Sequence, residues 1–164
     1  MRTLVLYDAI KEYIKNFDKD YQISQGFIDY EREYSLGIYV QDITPKYKFF
    51  NGHKYQGRNA RLQFVVMGGS SDSDYFKNRV LCEKLEGLSD ILQNVTLTTS
   101  PRYYKDQSDD IQYSTTTGQR QGIEIFISNS NLLNGTVDAG KSPDGHPMFS
   151  ITFLVTYFIG GNKQ

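Results

Sequence analysis

The sequence predicts an α+β domain, a mainly antiparallel sheet packed by two helices, one N-terminal and one central. Three observations lead there. Helical periodicity appears in two stretches only, residues 3–17 and about 73–92. Alternating stretches follow one another with no helix between them, which favours antiparallel neighbours. The 164 residues suit one domain spanning 1–164, large enough to bury a core.

In residues 3–17, Leu6, Ile10, Ile14 and Phe17 recur on one face, and Thr3 is placed to cap the start. Residues 25–41 turn β-like: Leu36, Ile38 and Val40 alternate with Gly37, Tyr39 and Gln41, and Gln25 to Arg32 is read as a partner strand. Pro45, Gly52 and Gly57 punctuate residues 42–58, which read as a long loop or loose hairpin, with Asn51-Gly52 as the turn signal. Residues 60–67 form a central strand with Ala60, Leu62, Phe64 and Val66 on one face. A GGSSDSD turn follows, capped by Ser71 or Ser73, and leads into a helix whose inner stripe is Leu81, Leu85, Leu88 and Leu92, with Val80 beside it. Strands are expected at 94–104 and 122–128, and loops at 105–120 and 129–146. The last strand, MFSITFLVTYFI, sets Phe149, Ile151, Phe153, Val155 and Tyr157 on one face, with Leu154 and Phe158 enriching the other. A strand apolar on both faces is central or covered.

Composition narrows the function classes. Eighteen cations against 19 acids give a net charge of -1, unlike a generic nucleic-acid binder. Thirteen Tyr and 10 Phe with no Trp suit half-buried strand faces and interfaces. One cysteine, Cys82, excludes an internal disulfide framework and suits a reducing compartment. Charges at Arg2, Asp8, Lys11, Glu12 and Lys15 interrupt any signal-peptide core, and no apolar run reaches the roughly 20 residues of a membrane helix, so no membrane contact is expected.

Two motifs mimic chemistry. GTVDAGKS, Gly135 to Ser142, has the spacing of a phosphate-binding loop, but Pro143, Asp144, Gly145 and Pro147 forbid the helix whose N-terminus would hold phosphate. VVMGGSSDSD, Val65 to Asp74, is similar to the first motif of the class I aminoimidazole-ribonucleotide carboxymutases. It stands mid-chain here and lacks the later histidine motif, so it reads as a strand-to-helix turn. His53 and His146, both expected in loops, form no ligand cluster, and Cys82 sits among leucines. No catalytic pair, metal or cofactor is expected.

One constellation suits binding. Lys46, Lys48, Lys54, Arg58 and Arg61 lie within residues 46–61 with no acid among them. Tyr47, Phe49, Phe50 and Tyr55 are interleaved, and His53 lies between. Cations plus stacking platforms are the physics of single-stranded nucleic-acid binding. The alternative is a basic loop whose aromatics close over the sheet or meet a partner protein.

Gly140, Lys141, Asp144, Gly145, Phe149, Ser150 and Ile151, within GKSPDGHPMFSITFLVTYF, make the C-terminus resemble the ending of tail terminator proteins of long-tailed bacteriophages, also labelled minor capsid or head-tail joining proteins. An opening amphipathic helix, then RLQFVVMGG leading into DYFKNRVLCEKLEGLSDIL, is similar in order. The resemblance implies a structural virion protein at the head-tail junction, present in the host cytoplasm during assembly. It implies a ring of six copies on the tail tube. That ring ends polymerisation of the tube protein, docks the head completion or connector protein, and leaves a passing contact with phage DNA. On this resemblance Lys141 and Asp144 join the interaction candidates.

Overall fold

The computed structural model describes residues 2–15, 22–23, 35–50, 53–108, 110–115 and 120–159, with backbone alone at 2, 22–23, 44–50 and 53–56. The α+β class holds. A six-stranded sheet runs β1-β2-β3-β8-β7-β4, from β1 (Gln22–Ile23), β2 (Ser35–Phe50), β3 (His53–Met67), β4 (Val95–Thr98), β7 (Glu124–Lys141) and β8 (Pro147–Ile159). Only the short β1–β2 pair is parallel. β5 (Tyr103–Lys105) and β6 (Ile111–Tyr113) form a separate two-stranded piece.

Helix α1 spans Arg2–Lys15. Leu6, Ile10 and Ile14 are buried as their spacing predicts, and Val5 and Ala9 widen the stripe. Thr3 lies inside the first turn, so it is not the cap. Phe17 and the expected partner strand at 25–32 fall outside the described residues.

β3 and β8 are the two central strands, joined in register from Met67↔Met148 to Arg58↔Tyr157. Ala60, Leu62, Phe64 and Val66 meet Ile151, Phe153, Val155 and Tyr157 in one buried cluster. Phe64 and Phe153 stack edge to face, with ring centroids 5.5 Å apart. Both α1 and the central helix contribute to this cluster, so they cover the same sheet face. On the opposite face Gln41 and Arg61 are exposed, and Tyr39, Val65, Leu154 and Phe158 are half-buried.

The expected central helix is broken into a short 3-10 turn, Asp72–Asp74, then α2 (Tyr75–Glu86) and α3 (Leu88–Ile91), with Gly87 between them. Ser71 caps the start: its N–H and its Oγ both donate to the Asp74 carboxylate, at 3.1 and 2.8 Å. Leu81, Leu85, Leu88 and Leu92 are buried as expected. Val80 is not part of that stripe: it is 48% exposed, because it lies one turn beyond Phe76 on the outward side.

Three more expectations need correction. Residues 94–104 are not one strand: the chain leaves the sheet after Thr98 and starts a new pairing at Tyr103. The polar stretch 105–120 is not all loop, since β6 pairs with β5. The stretch 129–146 is mostly strand, because β7 runs on to Lys141 along β8 through four register shifts.

Asp8 ties α1 to the chain beyond β4. Its carboxylate accepts from Ser100 Oγ at 2.7 Å and Tyr103 OH at 2.8 Å, with Ser100 N–H at 3.3 Å. Burial, then the hydrogen bond and charge of Asp8, push the Tyr103 hydroxyl far above the ordinary tyrosine range.

Candidate functional site

The basic-aromatic segment is a hairpin ribbon rather than a loop. β2 and β3 stay paired from Leu36↔Val66 to Phe50↔His53, and the expected turn signal Asn51-Gly52 lies outside the described residues. The register sets Lys46 opposite Gly57, Tyr47 opposite Gln56, Lys48 opposite Tyr55 and Phe49 opposite Lys54. His53 therefore opens a strand and is not a loop residue. β8 accompanies β3 only as far as Arg58, so the last rungs are two strands wide among the described residues. Pro45 stands on a stretch of β2 that has no neighbour on its other side among the described residues, the kind of strand on which proline is found.

The base of the ribbon is locked. A register shift between Asp42 and Thr44 bends β2. Asp42 Oδ1 accepts from Tyr157 OH at 2.7 Å, and Asp42 Oδ2 lies 3.5 Å from Arg58 Nη1. Arg58 is buried and tied to this carboxylate, so it belongs to the ribbon's base and not to its free cations. Sequence reasoning missed this link because the partners stand 16 and 115 residues apart.

Large apolar side chains also face outward. Tyr75 is 60% exposed, Phe76 78%, and Val80 and Ile91 nearly half. Phe76 and Val80 lie one turn apart on the outer side of α2, away from Leu81 and Leu85, and Ile91 is exposed on α3. Leu133 and Val137 on β7 are exposed too. Periodicity carried this signal, but the leucine stripe masked it.

The two mimics resolve into structural devices. In GTVDAGKS, Gly135 to Lys141 belong to β7 and Ser142 begins a tight turn into β8, so no helix follows. Gly140 takes φ 91°, a left-handed conformation that costs glycine little, and its N–H donates to Asp138 Oδ1 at 2.8 Å. Ser142 is spent on the turn: its N–H donates to the His146 carbonyl at 2.8 Å, and its Oγ accepts from His146 N–H at 3.1 Å. Lys141 and Asp144 are both exposed at this turn. In VVMGGSSDSD, the buried Asn78 side chain holds both backbone groups of Gly69, at 3.0 and 3.1 Å. A Cβ on Gly68 would stand 2.5 Å from Asn78 Oδ1, so this turn needs glycine for space.

Cys82 is buried beside Thr136 and Glu86, and burial pushes its thiol from 9.0 to about 11. Among the described residues, no group of three or more His, Cys, Asp or Glu is placed to hold a metal, and no helix is long and apolar enough to cross a membrane. No protein-family model, curated protein or solved structure matches this chain.

Proposed function

We infer that this chain is a non-enzymatic assembly protein of the phage tail-terminator type. It closes into a ring on the head-proximal end of the tail tube, ends tube growth and offers a docking face to the head connector. The observation that carries this is the set of exposed apolar side chains Tyr75, Phe76 and Val80 on α2, with Ile91 on α3, on a fold whose leucine stripe already fills the core. An isolated monomer gains nothing from a phenylalanine 78% exposed, whereas a subunit contact buries it. A contact between two different patches closes into a ring when its rotation permits. The order of helix, strand-turn-helix and final strand, with the turn at Asp144 and Gly145, agrees with the C-terminal resemblance. Capping works by geometry: the ring covers the surface that the next tube layer would need.

Light scattering at several concentrations, with and without the cognate tail-tube protein, tests this. Rings of about six copies, formed alone or on the tube, are expected. The pair Phe76→Asp and Val80→Asp should abolish them while leaving the fold intact. Monomers that persist with tube present, and tubes of unchanged length, would end this reading.

A further inference from the structure

We propose that the two-stranded end of the β2–β3 hairpin is a binding arm for single-stranded nucleic acid. This does not rest on the ring. It rests on where the topology puts the charges and aromatics.

The first observation is segregation. Residues 43–71 hold five cations and none of the 19 acids, which leaves 13 cations against all 19 acids in the rest of the chain. A near-neutral protein thus carries a cationic segment on an acidic body. Acidic surroundings disfavour non-specific polyanion binding elsewhere and confine it to this segment. The neighbouring strand β8 has no acid either, so the sheet end from which the arm leaves is not neutralised by its neighbour.

The second observation is shape. Among the described residues β3 has β8 as a partner only as far as Arg58, while its ladder with β2 continues to His53. Five residues of β3 extend past that point, an arm of about 17 Å at strand rise. A two-stranded ribbon has little stability of its own in water. Here the bulge and the Asp42 link to Tyr157 and Arg58 anchor its root.

The third is register. Rungs Lys48↔Tyr55 and Phe49↔Lys54 each set an aromatic residue beside a lysine, and strand alternation puts these neighbouring rungs on opposite faces. Each face therefore receives a cation for phosphate and a ring for a base. Every base has a π-face, so such pairs bind single strands with little sequence preference. A duplex keeps its bases stacked inside and offers this arm phosphates alone. With Arg58 committed to Asp42 and Arg61 lying back in the three-stranded part, the cations on this end of the ribbon are Lys46, Lys48 and Lys54. Three phosphate contacts give a salt slope of about -2 for a single strand.

Fluorescence anisotropy of the full chain with a short oligothymidylate, from about 50 mM to about 200 mM salt, reads this. The expected result is binding at low salt with a log–log slope near -2. Replacing Lys46, Lys48 and Lys54 together with Gln should weaken it at least tenfold and flatten the slope. Replacing Tyr55 and Phe49 with Ser should weaken single-strand binding about tenfold while leaving duplex binding unchanged. Circular dichroism of each variant checks that the fold is kept. Three outcomes overturn the proposal: no binding at the lowest salt, binding indifferent to the three lysines, or duplex bound as tightly as single strand. If the lysines matter only for ring assembly or tube contact, with no oligonucleotide bound, the arm is a protein contact and the proposal fails while the ring stands.

Discussion

Two long hairpins share this sheet and are built on different terms. The β2–β3 hairpin holds its register through a single shift, whereas β7–β8 slips four times. The first is secured at its root, where Asp42 binds Tyr157 and Arg58, and its end then runs beyond the third strand. The second is secured from the side. Glu86 Oε1 on α2 accepts from both the N–H and the Oγ of Thr136 at 2.7 Å, and Gln93 donates to the Ser130 carbonyl at 3.2 Å. A helix carboxylate thus occupies part of an open strand edge that would otherwise invite pairing. One hairpin is regular and reaches outward; the other is irregular and is held down.

The largest expected effect falls on what both hairpins share. Phe153 stands opposite Leu62 on one side and Leu132 on the other, fully buried. Phe153→Ala should cost about 3–5 kcal/mol in urea unfolding, with both hairpins melting in one transition. A loss below about 1 kcal/mol would mean that the two do not share a core there.

Next come the separate anchors. Asp42→Ala removes the carboxylate facing the buried Arg58 guanidinium and the Tyr157 hydroxyl, and should cost about 1–3 kcal/mol. Glu86→Ala acts on a half-exposed edge and should cost about 1 kcal/mol. Its sharper readout is hydrogen exchange, faster at the Thr136 amide and unchanged along β2. Equal costs, or faster exchange in both hairpins after Glu86→Ala, would dissolve the contrast.

The smallest effect is confined to high pH. Cys82 lies against Thr136, and its folded thiol titrates near 11 rather than 9.0. The raised value means that the unfolded chain loses this proton first. The contribution to stability is therefore intact below pH 9.0 and declines as pH rises towards about 11. Cys82→Ala should flatten the fall of stability across that window by comparison with the parent chain. Parallel curves would remove the thiol from this account.

The same contrast explains what the sequence disclosed. Helix α1, the 60–67 strand and the final strand were legible because their apolar residues repeat at one period and bury on one face. β7 beyond Ile127 reads as loop because Asn129, Asn131, Asn134, Gly135 and Asp138 are poor strand formers. Its strand form comes from pairing with β8 and from Glu86, which stands 50 residues from Thr136, and neither shows in the local composition. The β2–β3 ribbon was obscured by Pro45 and Gly57. Proline costs nothing on an open edge, and glycine there admits the Phe158 ring, 3.0 Å from where a Cβ would sit. The lysines and aromatics of the candidate arm were visible as composition. That Arg58 does not belong with them became visible only once a bulge had brought it to Asp42.

The Asp8 contacts have a consequence for how the chain is made. Helix α1 precedes Ser100 and Tyr103 by more than ninety residues. During synthesis at about 5–20 residues per second, the helix waits about 5–20 s before the hydroxyls that fix it leave the ribosome. Even then its apolar stripe has no complete sheet to meet, because β7 and β8 are still to come. The early helix is therefore a late arrival in the native fold, and a nascent chain halted before residue 100 should still leave it undocked.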